Sequence, residues 1–490
     1  MAKQKNLTEM YVSSVNLSRP KKVGAATFDF TMSDKDIYGD VKYIVLTGNE
    51  PFDQFTGGFP MGRISEVFGL ENCGKSALMI RSMCRFQAHH IYEVVNKQGF
   101  IYSLKRVDTK RIRHIMVYID NEGSLEKGFK LGIRDTRFDE NGQEVTEETE
   151  LEGCAVGLTD TIEQVFLAVD KFLKIIRQAE KEIEEDESDE LVFGMLIVDT
   201  VAGTSSKDEM ERDWGERDYP RAAAKISEGF RRLRAEITRH NVAIVCTNQV
   251  RTNYNQGNGG YRVRYSTPQD KDFSTFGGKA LAFYATHRIF MFQVPIKYTL
   301  VKGAQFAAGF LVGFRTIKNR LRKPLREARM VLLFDEEQGG LHNIFSLLDS
   351  LVFLRVAEFG RGDEDEGKGG TVRFLFRKYG IETTTFAENV KPDEEATKDA
   401  ASSNRRKKKV EDPEIEDRWQ WPAFYRAHRA DLDKLWQVAV EKANSTEGLD
   451  EFYKPAGEEK TGEDADPEET TPAPRRRRSL APVLEDEDVK

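Results

Sequence analysis

Long apolar runs, paired cysteines and an N-terminal leader pattern are all missing from this 490-residue sequence. No run of about 18 or more apolar residues occurs, which excludes a membrane-spanning helix. Residues Met1 to Asn6 open no apolar stretch, so no secretory leader is expected. The four cysteines, Cys73, Cys84, Cys154 and Cys246, form no CxxC pair and no Cys/His cluster. A zinc site is therefore not expected, and a reducing compartment, the cytoplasm, suits the chain. Positive charge is also in deficit: the formal net charge is -8, which argues against a uniformly basic polyanion binder. The deficit is local. From Asn444 to Lys490 there are 14 acidic and 7 basic residues, which leaves the rest of the chain nearly neutral. An acidic tail competes with phosphates for a basic site elsewhere, so overall acidity does not exclude a polyanionic ligand.

What is present is a core. Hydrophobic residues make up 39% of the chain, and charged residues, at 32%, exceed the usual quarter. Residues 1–42 read as an arm for oligomerisation. From 43 to 360, apolar strand-like runs alternate with amphipathic helices, which predicts an α/β domain with a mostly parallel sheet flanked by helices. The expected strands are Ile64–Gly69, Ile115–Asp120, Gly194–Asp199, Val242–Asn248 and His287–Val294. Between Pro220 and Asn241, Ala223, Ile226, Phe230, Leu233 and Ile237 recur at helical spacing, with Lys225, Arg231, Arg232, Arg234 and Arg239 on the other face. A second helix follows Thr161, with Gln164 completing a capping box. Its acidic continuation, Glu180–Glu190, is expected to be exposed, and Asp139-Glu140-Asn141-Gly142 reads as a hairpin turn. Residues 361–412 form a linker with a basic cluster, Arg405 to Lys409. Residues 413–443 form a small helical patch with Trp419, Trp421 and Trp436, either packed or gathering a polyanion. Residues 444–490 are expected to be disordered.

Gly69-Leu70-Glu71-Asn72-Cys73-Gly74-Lys75-Ser76 fits the phosphate-loop pattern GxxxxGK[ST], between a strand and an apolar helix. Such glycines let backbone amides face phosphate oxygens at a helix N-terminus. Lys75 would neutralise the β- and γ-phosphates and Ser76 would ligate Mg²⁺, which calls for ATP as the cofactor. Asp199, after four apolar residues, would complete the metal shell. Glu122, just past another strand, is the general-base candidate, and Gln249, ending a further strand, is placed to hydrogen-bond a γ-phosphate.

In this order, these pieces resemble RecA. Gly57 to Ile64 resembles GGLPMGRI, Asp120 to Leu125 resembles DAEHAL, and Asp199 to Ala202 resembles the end of VDSVA. Thr247 to Arg251 resembles INQIR, Gly277 to Ala285 resembles GGNALKFYAS, and Lys318-Asn319-Arg320 with Pro324 and Arg326 resembles KNK…PFK. The resemblance covers about 45–360. It implies a RecA-like nucleotide-hydrolase core, with Glu122 as the catalytic glutamate and Phe129 against adenine. It also implies that Lys318 and Arg320 reach a neighbouring subunit's γ-phosphate within a helical filament.

The resemblance further implies two loops on single-stranded DNA, about 207–221 and 251–276. The second makes physical sense unaided: Arg251, Tyr254, Tyr261, Arg262, Arg264, Tyr265, Phe273 and Phe276 interleave cations with aromatics among glycines. Trp214 in the first loop and Arg231 on the following helix join this set. The implied activity is a DNA-dependent ATPase that pairs homologous strands in recombination and repair, bound to single- and double-stranded DNA and served by single-strand-binding or loader proteins. Asn72 and Cys73 replace small hydroxylated residues, the second loop is long, and an acidic insertion precedes Asp199. This divergence resembles the UvsX-type recombinases of bacteriophages. A ring helicase or DNA motor on the same core, and a non-catalytic regulator of the same fold, remain alternatives.

Overall fold

The computed structural model describes residues 40–123, 125, 132–138, 144–211, 219–252, 273–298, 307–334, 340–359, 372–381, 414–415 and 420–444. In chain order the first elements are β1 (Tyr43–Val45), α1 (Glu50–Thr56), β2 (Phe59–Pro60), β3 (Arg63–Gly69), α2 (Lys75–Gln87), β4 (Ile91–Gln98), β5 (Ile101–Arg106) and β6 (Ile112–Asp120). Then come β7 (Gly132–Phe138), β8 (Glu144–Glu150), β9 (Ala155–Gly157), α3 (Ile162–Glu185), β10 (Leu191–Asp199), the short α4 (Lys207–Met210), α5 (Tyr219–Arg239) and β11 (Val242–Thr252). The remainder is β12 (Phe273–Thr275), α6 (Lys279–Tyr284), β13 (His287–Tyr298), β14 (Gly309–Lys318), β15 (Glu327–Leu333), β16 (Gly340–His342), α7 (Asn343–Phe353), β17 (Ala357–Phe359), β18 (Val372–Phe374), β19 (Glu414–Ile415) and α8 (Trp421–Asn444).

The central sheet runs β16-β15-β14-β13-β3-β11-β10-β6-β9, with β12 paired to β11. Every neighbour pair from β13 to β9 is parallel, and β14, β15 and β16 are added antiparallel. The expected α/β class holds, and all five expected strands lie within observed ones. β10 shows why the sheet is covered on both faces. Val192, Leu196 and Val198 pack in the cluster built with α3 and α5, while Phe193, Met195 and Ile197, equally buried, face the other way.

The helices form where their patterns put them. Thr161 caps α3, with the reciprocal Gln164 bond of a capping box. Ile162, Val165, Val169, Phe172, Leu173 and Ile176 supply its buried stripe, and the acidic stretch beyond is exposed apart from a few positions such as Ile183. On α5, Ile226, Phe230 and Ile237 are buried and Arg231, Arg232, Arg234 and Arg239 are exposed. β7 and β8 pair antiparallel on either side of the expected turn, whose own residues lie outside the described ones.

Two features were not anticipated. A second sheet, β2-β1-β4-β5, stands ahead of the core. The C-terminal patch, expected to be helical, is a helix pair, α8, kinked at His428 and docked on the core. Trp421 is fully buried and its Nε1 donates to Ile344 O at 2.6 Å, while Trp436 meets Phe55 edge-on. Between packing and polyanion gathering, packing is what these two tryptophans do; Trp419 lies outside the described residues. Among the described residues no helix is long and apolar enough to cross a membrane, and no group of three or more metal-ligating side chains occurs.

Candidate nucleotide site

Four neighbouring strands, β3, β11, β10 and β6, deliver the predicted residues to one edge of the sheet, as a parallel sheet does with its carboxyl ends. β3 ends at Gly69, which pairs with Gln249 on one side and Met291 on the other. A Cβ on Gly69 would collide with the Met291 carbonyl oxygen. Glycine is thus required there by the closeness of β13 as well as by the turn. Asn72 and Gly74 both take positive φ, 55° and 78°, and Gly74 directly precedes α2. The loop so formed aims its amides out from a helix N-terminus, the geometry that receives an anion.

Lys75 is buried at 8% exposure and folded onto the loop, with Nζ 2.7 Å from Leu70 O and 3.4 Å from Gly69 O. Cys73 is fully buried, with Sγ 2.9 Å from Leu70 O and 3.8 Å from Lys75 Nζ. Burial pushes its thiol pKa up, against the pull of Lys75. Glu71 and Asn72 are exposed, and Ser76 opens the helix beside Lys75. A cleft of about 280 Å³ lies above, lined by Gly69, Leu70, Glu71, Gln249, Val250 and Gln293. Val250 and Gln293 were not foreseen; only the sheet order brings them there.

Asp199 ends β10, register-paired with Asp120, and its peptide bond to Thr200 is cis. Its Oδ2 accepts from the Tyr118 hydroxyl at 2.6 Å and its Oδ1 from Thr247 Oγ1 at 2.5 Å. Burial, then the Asp199 charge, pushes the Tyr118 hydroxyl pKa far up, so it stays a donor. Among the described residues no cation pairs with Asp199, although it is 1% exposed. A buried carboxylate of this kind suits the shell of a divalent metal. Glu122 is exposed, and its Oε1 accepts from Gln249 Nε2 at 3.0 Å. The predicted base and the predicted γ-phosphate contact therefore touch each other at the rim of the cleft.

Behind Gln249, Asn248 is fully buried and uses both ends of its amide. Oδ1 accepts from Gln249 N at 3.0 Å, while Nδ2 donates to Glu66 at 3.1 Å and to Phe276 O at 3.0 Å. Glu66 is in turn paired with Arg288 at 2.6 Å.

The predicted second DNA loop stands on a two-stranded base, where Arg251 pairs with Ser274 and Thr252 with Phe273. Phe276 packs, partly buried, against the core. The side chains of Arg251 and Phe273 lie outside the described residues, as do Phe129, Trp214, Tyr254, Tyr261, Arg262, Arg264 and Tyr265. Arg231 is exposed on α5.

Lys318 and Arg320 are not at the cleft. Lys318 pairs with Arg288, and Arg288 with Glu66, whereas Met291 pairs with Gly69. At about 3.3 Å per residue, this sets Lys318 about 10 Å back along the strands. Its Nζ donates to Ala282 O and Phe283 O, each at 3.2 Å, at the end of α6. Desolvation, then Arg320 and Arg288, lower its pKa. Arg320 is exposed, and Phe283, whose carbonyl Lys318 reaches, is 71% exposed on α6.

The fold and the loop together define a phosphate-loop nucleotide-binding protein. The sequence profile of the RecA N-terminal domain matches residues 177–339. The RecA protein of Aquifex pyrophilus is 25% identical over 355 residues, 71% of this chain and 80% of that protein. The RecA protein of Thermus aquaticus is 26% identical over 320 residues, 64% of this chain and 73% of its own. A crystal structure of the RadB recombinase aligns with 61% of this chain and 99% of its own, at 14% identity and a TM-score of 0.34. Residues 177–339 thus match the RecA N-terminal domain, and the chain is similar to RecA proteins over about two thirds of its length.

Proposed function

We propose that this chain is a DNA-dependent ATPase that forms a helical filament on single-stranded DNA and promotes homologous pairing and strand exchange. The observation that carries the reading is the Gln249–Glu122 contact beside a cleft lined by the phosphate loop and Gln249, with Lys75 opening the helix after that loop and Asp199 ending the strand next to β11. Bound ATP and Mg²⁺ would supply the phosphoryl group and the charge that activates it. The phosphate-loop amides and Lys75 bind the phosphates, with Lys75 leaving the carbonyls of Gly69 and Leu70. Ser76 and Asp199 hold the metal shell. Glu122 orients and deprotonates the attacking water once Gln249 turns to the γ-phosphate. Lys318 and Arg320 lie too far back to serve their own cleft, and act on a neighbour's. The exposed Phe283, whose carbonyl Lys318 reaches, fits a surface covered by that neighbour. The loops at 207–221 and 251–276, with Arg231, bind the strand. The reading implies a cytoplasmic protein, the host cytoplasm if its source is a bacteriophage.

The test is ATP hydrolysis with and without single-stranded DNA, for wild type and Glu122→Gln. Strong stimulation that the variant loses is the expected result. A rate indifferent to DNA would remove the recombinase reading in favour of a regulator, and one indifferent to Glu122 would undo the catalytic assignment.

A further inference from the structure

Asp199 is gripped from both sides. Tyr118 reaches it from β6 and Thr247 from β11, the two strands that flank β10. Thr200 Oγ1 donates to Thr247 O at 2.9 Å, so β10 and β11 are tied reciprocally. Tyr118, Thr247 and Thr200 are all fully buried. Neither hydroxyl on Asp199 belongs to the phosphate-loop pattern, and Thr247 stands where the INQIR segment has isoleucine.

The terminal torsion of an aspartate is broad, so an unsupported carboxylate samples many orientations. Two donors from different strands fix its plane. Each oxygen has a second lone pair, which leaves room for a further donor such as a metal-bound water. Hydroxyls are neutral, so they orient the carboxylate without neutralising it as a lysine or arginine would. The grip also sits close to the other working groups: Tyr118 is four residues before Glu122 and Thr247 two before Gln249.

We propose that Tyr118 and Thr247 are positioning residues that hold Asp199 in the orientation from which it takes the water shell of a divalent cation. The inference rests on the nucleotide-site reading above. The test is a Mg²⁺ titration of the binding of a fluorescent ADP analogue to the full chain, with parallel binding in EDTA, for wild type, Tyr118→Phe, Thr247→Val and Thr247→Ser. In Tyr118→Phe and Thr247→Val the half-saturating Mg²⁺ concentration rises about tenfold, the usual effect of losing a partner of a metal ligand. Binding in EDTA stays at the wild-type value, which separates this effect from loss of fold. Thr247→Ser keeps the hydroxyl and returns the wild-type titration. Equal titrations for the valine and serine variants would overturn the inference alone. A wild type that binds no nucleotide at any Mg²⁺ concentration would overturn the site reading and the inference with it.

Discussion

His287 illustrates what a single buried group does to the whole chain. It is fully buried at the start of β13, and burial lowers its pKa from 6.5 to about 4. The folded chain therefore holds it neutral while the unfolded chain takes up a proton below 6.5. Its contribution is fully present above pH 6.5 and is lost as the pH falls towards 4. Asp53 works in the opposite sense. Its half-buried carboxyl is raised to about 6 by desolvation, against the bonds it accepts from Thr47 and Gly48, so its contribution fades as the pH rises from 3.8 to 6. Melting temperatures measured from pH 4 to 7 should show a shallower acid-side fall in His287→Gln than in wild type; identical slopes would mean that another group sets it. The same scale divides what the sequence made legible in the site. The placement of Lys75 and Ser76 at a helix start and of Asp199 at a strand end was legible because the pattern and the apolar run mark them. Tyr118, Thr247 and Asn248 were not, because a hydroxyl or amide inside an apolar strand acquires its partner only across strands.

Helix α3 and strand β10 show how far one element constrains the next. Gly194 lies beneath α3, and a Cβ there would collide with Phe172 and crowd Ile176. Gly194→Ala should lower stability by about 1–3 kcal/mol, the usual effect of overpacking, read as a shift in the denaturant midpoint. An unchanged midpoint would mean that the helix gives way freely. Periodicity made α3 and α5 readable, since each keeps one apolar stripe over many turns. It did not reveal the β2-β1-β4-β5 sheet. Its strand β4, Ile91–Gln98, is mostly half-buried and carries Glu93, Asn96 and Lys97 among its apolar residues, so no clean alternation marks it. Nor did it reveal that α8 docks on the core, because its anchors, Ile344 and Phe55, are remote in sequence.

At the scale of the whole molecule, the separation of Lys318 and Arg320 from their own cleft would, on the proposed function, make hydrolysis a property of assembled chains. The double variant Lys318→Ala, Arg320→Ala should bind nucleotide as wild type does. Its DNA-stimulated hydrolysis should fall by roughly 10³-fold, by analogy with the removal of a cation donated in trans. Mixed with wild type, it should depress the rate by more than dilution does. Strict proportionality in the mixture would place both cations outside any shared site. The close approach of Met291 O to Gly69 bears on a different matter, the fate of the chain if it were released from catalysis. On the proposed function Lys75 and Ser76 answer to a ligand and would be free to drift, whereas Gly69 answers to the neighbouring strand and would persist. In descendants of this chain the first glycine of the loop would therefore be a fossil of the fold, and the lysine the residue that reports a living enzyme.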